Sequence, residues 1–466
     1  MSKDRAPGHI LLSRRSFLRD SIRSAVLVAG ASIICPRSVS ALTHHAAPRW
    51  LQEIKKITDR IRVPTIPSRV ERIAPVVGDC RGIIQEVIDR LNSLGGGKVV
   101  LAPGVWLSNG GIRLTSNLEL HLERGAELVF SAEAEHYRSL VHTRWEGTEL
   151  YGYMPCVYAY HARNIAITGG GVISLAASGT MHQWRKEQSD AQARLRSMGA
   201  EGVPLHERVF GKGRFLRPSC IQVFGCQDIL IEGISIRNPL FWGVHLVFSH
   251  CATIRNISVK SSEVNSDGID IDSSTHVLVE QCILDNGDDS IAIKSGRDRD
   301  GRTAGAPSED IVIRDCTITR SESSGIAVGS EMSGGVRRVY VIRCTMGDVH
   351  AVVTIKSNLD RGGVVEHLRM WKISASRCSR LVQVTTSYHG YAGGNYPPIF
   401  RDIELDDLRA ASANKGISLL GSARAPITGV ALKALVVTEV VNPLVVEHAR
   451  DVSLSNVVMN GLPVNL

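Results

Sequence analysis

Two short segments of this 466-residue chain concentrate carboxylates where a strand ought to turn. The first reads Asn265-Ser266-Asp267-Gly268-Ile269-Asp270-Ile271-Asp272, the second Asn286-Gly287-Asp288-Asp289-Ser290-Ile291-Ala292-Ile293-Lys294. Asp267 and Asp288 stand 21 residues apart, about one unit of a strand repeat that runs through this region. Stacked units would set Asp267 and Asp288 one above the other, with Asp289 beside them. Three carboxylates at such range repel one another, so at least one holds its proton above the ordinary carboxylate range. An acid that keeps its proton beside an ionised neighbour suits cleavage of a glycosidic bond. One group protonates the leaving oxygen and the other activates water. The competing reading is structural, because Asp, Asn and Gly also serve strand corners by bonding backbone amides. For Asp270 and Asp272 that reading is at least as good.

The elements that must position these groups are short strands. From about residue 160, alternating apolar segments recur: NIAITG at 164, DILIEG at 228, TIRNIS at 253, HVLVEQ at 276, DIVIRD at 310, RVYVIR at 338 and VVEHLR at 364. The spacings after the first are 25, 23, 34, 28 and 26 residues. Each unit holds two or three strands with Gly, Asn, Asp and Ser at the corners. No unit carries enough apolar surface to fold alone, so neighbouring units must stack. The pattern predicts an all-β parallel β-helix over residues 76–466, with sandwiches and barrels disfavoured because those show hairpin turns rather than a repeat of this length. Apolar residues at 83, 84, 87, 88, 91 and 94 predict a helix ended by Gly95-Gly96-Gly97, placed to cap the open N-terminal end of the core. Residues 42–75 read as a lead-in, and residues 176–215 as a polar, partly helical insertion. That insertion and the segment Arg297–Ser308 are candidates to wall one end of a cleft, which would favour attack from chain ends.

Composition narrows the function classes. The chain is 43% apolar and 21% charged, which suits a large core. Of its net charge of +8, five units belong to residues 1–41, so the remainder gives no argument for nucleic acid. Ser13-Arg14-Arg15-Ser16-Phe17-Leu18-Arg19, the apolar stretch Ala25–Ile34 and the small residues Val39-Ser40-Ala41 resemble a cleavable twin-arginine export signal. The expectation is an exported bacterial protein, periplasmic or secreted, with no membrane span after cleavage and read as a monomer. Cys282, Cys316 and Cys344 recur at one position after their strands, as a buried ladder of free thiols would. Without a C-x-x-C pair or a dedicated calcium loop, neither a metal nor a cofactor is expected.

Several segments together resemble glycoside hydrolase family 28, the polygalacturonases. They are NSDGID, GDDSIAIKSG, SSGIAVGSEMSGGV and TIKSNLDRGGVVEHL, in that order, with an opening GGGKVVLAPGVWL that matches as well. The resemblance covers roughly residues 70–400 and implies a right-handed parallel β-helix of the pectin-lyase type. It also implies Asp288 as general acid, Asp267 and Asp289 as the pair that activates water, and inversion at the anomeric carbon. Lys356 would bind a uronate carboxylate and Tyr388, with Tyr391 as the alternative, would line the site. Trp242 is either a sugar platform or core. Two positions depart from the pattern: the family's His is Ser324 and its Arg, two residues before the Lys, is Thr354. Arg offers a bidentate fork that Thr cannot, so Ser324 and Thr354 mark an altered substrate subsite. The implied substrate is an acidic, pectin-like polysaccharide, with a rhamnogalacturonan-type polymer as the alternative. A β-eliminating lyase and a non-catalytic glycan-binding β-helix are the rival readings.

Overall fold

A computed structural model describes residues 47–466; residues 1–41, expected from sequence to be an export signal, lie outside the described residues. Parallel strands stack coil on coil, and the register shows why the side chains must be what they are. One inward column runs Ile112, Val157, Ile221, Val244, Ile269, Ile291, Ile326, Val353, Val382, Ile417 and Leu444, each paired with the next. A second runs Ile229, Ala252, Val277, Ile311, Val339, Leu368, Ile403 and Val430. Every residue of both columns but Leu444 is buried, in one continuous core. Branched aliphatics suit stacking on a pleated surface, which is why the inward positions repeat them.

Corners are left-handed at recurring positions. One column of positive φ runs through Asp228, Cys251, His276, Asp310, Arg338, His367 and Asp402, another through Asn256, Gln281, Asp315, Arg343, Lys372 and Asp407. Asn and Asp occupy several of these sites because their short polar side chains tolerate that backbone. The coil supplies enough pairing to hold Arg, Lys, His, Cys and Gln in the rest.

Among the described residues five α-helices accompany the strands: α1 (Leu51–Thr58), α2 (Arg81–Ser93), α3 (Trp184–Glu187), α4 (Ser189–Glu201) and α5 (Asp298–Ala304). Helix α2 is the expected cap. Ile84, Val87, Ile88 and Leu91 enter the core beneath the first coils, while Ile83 and Leu94 stay exposed. The strand sheet begins earlier than residue 76, since Val70–Ile73 pairs in register with Lys98–Leu101. Helix α1 and its N-cap residue pack Trp50, Ile54 and Ile57 against Leu278, Val312, Tyr340, Ile342 and Trp371 on the outside of the coils. Helices α3 and α4 form the helical insertion expected between residues 176 and 215. The nine described cysteines are all unpaired and buried. Among the described residues no helix is long and apolar enough to cross a membrane.

Candidate active site

Asp267 lies just before strand Ile269–Asp272, and Asp288 and Asp289 just before strand Ile291–Lys294 on the next coil. The register pairs Ile269 with Ile291, so one coil here is 22 residues rather than 21. Asp267 therefore stacks on Asp289, and Asp288 precedes them by one position, which shifts the sequence expectation by one residue. The three carboxylates share a cleft of about 480 Å³ with Trp242, Asn265, Lys294, Lys356, Tyr388 and Tyr391. In each floor strand the alternate residues point outward, so Ile291 and Ile293 enter the core while Lys294 reaches the cleft.

The carboxylates sit in different electrostatic environments. Burial, then the charge of Asp289, raises the proton affinity of Asp288 above the ordinary range. Its Oδ1 accepts the backbone N–H of Asp289 at 2.9 Å and its Oδ2 the Asn265 amide at 3.3 Å. Burial would raise Asp289 too, but Lys356 and Lys294 more than offset it and hold the group at about 2. Lys356 Nζ donates to its Oδ2 at 2.7 Å, while Ser323 Oγ and the Ser324 N–H donate to Oδ1 at 2.7 and 2.9 Å. Asp267 is driven well up by burial and by Asp270. Asp270 itself rises to about 8, chiefly through burial. One ammonium serves this group: Lys294 Nζ lies 3.3 Å from Asp267, 3.4 Å from Asp270 and 3.6 Å from Glu331, and 4.6 Å from the Trp242 ring centroid. Trp242 is thus a 3%-exposed platform under a cation, stacked on Phe241 at 4.8 Å.

The remaining sequence candidates divide. Tyr388 lines the cleft with its ring 5.1 Å from Lys356 Nζ, and Tyr391 lines it as well. Ser324 and Thr354 do not line it: both are buried, and Ser324 Oγ donates to Thr354 Oγ1 at 2.9 Å. Asp272 is structural, held by Arg144 at 3.1 Å, His245 at 3.5 Å and the Gly296 N–H at 3.0 Å. Sequence reasoning missed Lys294 and Glu331, although both sit inside the motifs and the outward alternation of Ile-Ala-Ile-Lys pointed to the first. It also missed Glu146, which accepts from Gln192 at 2.9 and 3.0 Å and from Arg196 at 2.6 Å. Arg297 lies 3.6 Å from Glu146 and 2.5 Å from Glu331, and Arg361 2.5 Å from Asp298. These ion pairs tie the insertion and α5 to the coils along the cleft border. They were illegible because their partners are separated by up to 151 residues.

The Asp270 shift predicts a pH dependence of stability. A carboxyl raised from 3.8 to about 8 on folding stabilises the fold fully below its unfolded value. That contribution is lost as pH rises through about 8. Asp270→Asn keeps the shape and cannot ionise, so the fall in melting temperature between pH 5 and pH 8 should shrink. An unchanged difference in thermal scans of the two proteins would count against a proton on Asp270.

Known proteins share this architecture and these segments. The model for glycosyl hydrolases family 28 matches residues 211–450. A probable polygalacturonase of Vitis vinifera is 27% identical over 355 residues, covering 74% of this chain and 67% of that one. An endo-polygalacturonase of Pectobacterium carotovorum subsp. carotovorum is 27% identical over 357 residues, with 72% and 80% covered. The crystal structure of a hyperthermoactive exopolygalacturonase from Thermotoga maritima superposes with a TM-score of 0.83 at 33% identity, over 88% of this chain and 96% of that one. With a family match over half its length and this likeness along nearly all of it, the chain belongs to glycoside hydrolase family 28.

Proposed function

We propose that this family 28 glycoside hydrolase cleaves α-linked galacturonate polymers of the pectin type from chain ends, by single displacement with inversion. What carries the reading is the asymmetry of two adjacent carboxylates: burial and Asp289 raise the proton affinity of Asp288, while Lys356 and Lys294 hold Asp289 down at about 2. Asp288 gives its proton to the glycosidic oxygen as the bond breaks. Asp267 and Asp289 hold the attacking water, and Asp267 takes its proton. Asp289 is a poor acceptor because three donors occupy it. Asp267 and Asp270 are both raised and lie on the same Lys294 ammonium, so this reading requires the proton they share to stay on Asp270. Asp267 lines the cleft whereas Asp270 is wholly buried, and charge favours the less buried site. Asp270→Asn should therefore retain turnover. Lys356 meets the uronate carboxylate, with Tyr388 beside it.

Attack from chain ends is supported by the border of the cleft. Gln188, Gln192 and Arg196 of the insertion, Arg297 and Asp298 at the start of α5, and Tyr388–Ala392 stand around it. The 33%-identical relative is an exopolygalacturonase. A second reading, a rhamnogalacturonan-type substrate, is favoured by one observation. Ser324 and Thr354 bond each other instead of presenting a His and an Arg to the substrate.

An end-group assay on polygalacturonate and rhamnogalacturonan side by side tests both. The expected result is new reducing ends without near-ultraviolet absorbance, released as the smallest product while viscosity persists. Absorbance from unsaturated uronate would mean elimination and overturn the aspartate roles. A rapid loss of viscosity would mean internal attack.

A further inference from the structure

Arg217 is 1% exposed, and among the described residues it has no carboxylate within ion-pair distance. Burying a charge without a counter-ion is unfavourable unless every donor finds an acceptor. Here Nε donates to Gln188 Oε1 at 3.1 Å, Nη1 to the carbonyls of Leu240 and Val264, and Nη2 to Asn265 Oδ1 at 3.2 Å. The last contact has a directional consequence. A guanidinium only donates, so Asn265 must turn its Oδ1 toward Arg217 and its Nδ2 the other way. That Nδ2 lies 3.3 Å from Asp288 Oδ2. The Val264 contact anchors the backbone just before Asn265, which sits at φ 61°.

Resting on the reading of Asp288 as the acid, we infer that Arg217 is a positioning residue for it. By locking the Asn265 amide, it keeps a donor on the carboxylate that remains once the proton has gone to the leaving group. Without Arg217 the amide is free to turn over. Its Oδ1 would then accept from the protonated acid, and the neutral form would be favoured instead. Asp288 also faces Asp267, Asp289, Lys294, Lys356 and Tyr388, and Arg217 faces Arg185, Glu146 and Glu263. None of these groups changes in the variants below, and Asn265→Ala leaves every charge in place, so a shift it shares with Arg217→Met reports the relay.

The test is the pH profile of kcat/KM on polygalacturonate for the parent protein, Arg217→Met, Arg217→Lys, Asn265→Ala and the double variant Arg217→Met/Asn265→Ala. Because the acid must be protonated, its ionisation sets the alkaline limb. Loss of a donor to a carboxylate should move that limb up by about one pH unit. Arg217→Met and Asn265→Ala should shift it alike, with kcat down about tenfold. The double variant should shift it no further, and Arg217→Lys, which can still donate, should recover part of it. A folded Arg217→Met with an unmoved limb, or shifts that add in the double variant, overturns the inference. If Arg217→Met does not fold, an unmoved limb in Asn265→Ala overturns it equally. Asp288→Asn serves as the separate control: full turnover there would remove the acid assignment itself, whatever Arg217 does.

Discussion

Asp288→Asn is expected to lose at least about 10²-fold in turnover, the usual contribution of a positioned general acid, while keeping its fold. The amide matches the carboxyl in shape and can still accept the Asp289 N–H through its oxygen. Asp288 is only partly buried and among the described residues forms no ion pair, so its replacement breaks no salt bridge among them. What disappears is the proton. Asn has none to give to the glycosidic oxygen, and the ionised Asp289 next to it cannot substitute at about 2. Initial rates of reducing-end release, with circular dichroism to confirm the fold, are the measurement. A variant within tenfold of the parent would end the assignment of Asp288 as acid. An aryl glycoside with a good leaving group should recover much of the lost rate, because it departs without protonation.

Lys294→Met should be the most destabilising single change in the cleft. Lys294 is 4% exposed and is the shared counter-ion of Asp267, Asp270 and Glu331. Removing one partner of a buried charged set leaves the others uncompensated, at a cost of about 3–5 kcal/mol. Met fills most of the volume and can still lie over Trp242, so the loss reports electrostatics rather than a cavity. Turnover should vanish as well, since Asp267 would keep its proton. Denaturant midpoints of Lys294→Met and of Lys294→Met/Asp270→Asn would check this. The double variant buries one fewer ionisable carboxyl and should regain part of the stability, most clearly at alkaline pH. A single variant as stable as the parent would show that the carboxylates are neutral without the lysine.

Legibility followed the length scale of the physics. The coil repeat, the helical cap and the recurring cysteine position all come from side-chain periodicity over a few residues, and each appears in the structure. Even the irregular spacing carried information. The 34-residue interval between Val277 and Ile311 holds α5, and the 35-residue interval between Leu368 and Ile403 holds the Tyr388–Ala392 segment. Extra residues in a coil have to leave it, and here they border the cleft. Helix α1 went unread because it is short and its stability comes from outward-facing Val312, Tyr340 and Trp371, positions that in sequence look like the solvent face of a strand.

By itself the sequence determined the class of fold, the family and the clustering of three aspartates, since motif order and strand period are properties of neighbours along the chain. Only the tertiary structure decided how those aspartates differ. Asp267 falls over Asp289 because a coil is 22 residues long. Lys356 meets Asp289 across 67 residues, and Lys294 is divided among three acids from two other coils. Ser324 and Thr354 turn to one another rather than to the cleft. A carboxylate's proton affinity depends on burial and on charges within a few ångströms, and those distances exist only once the coils have stacked.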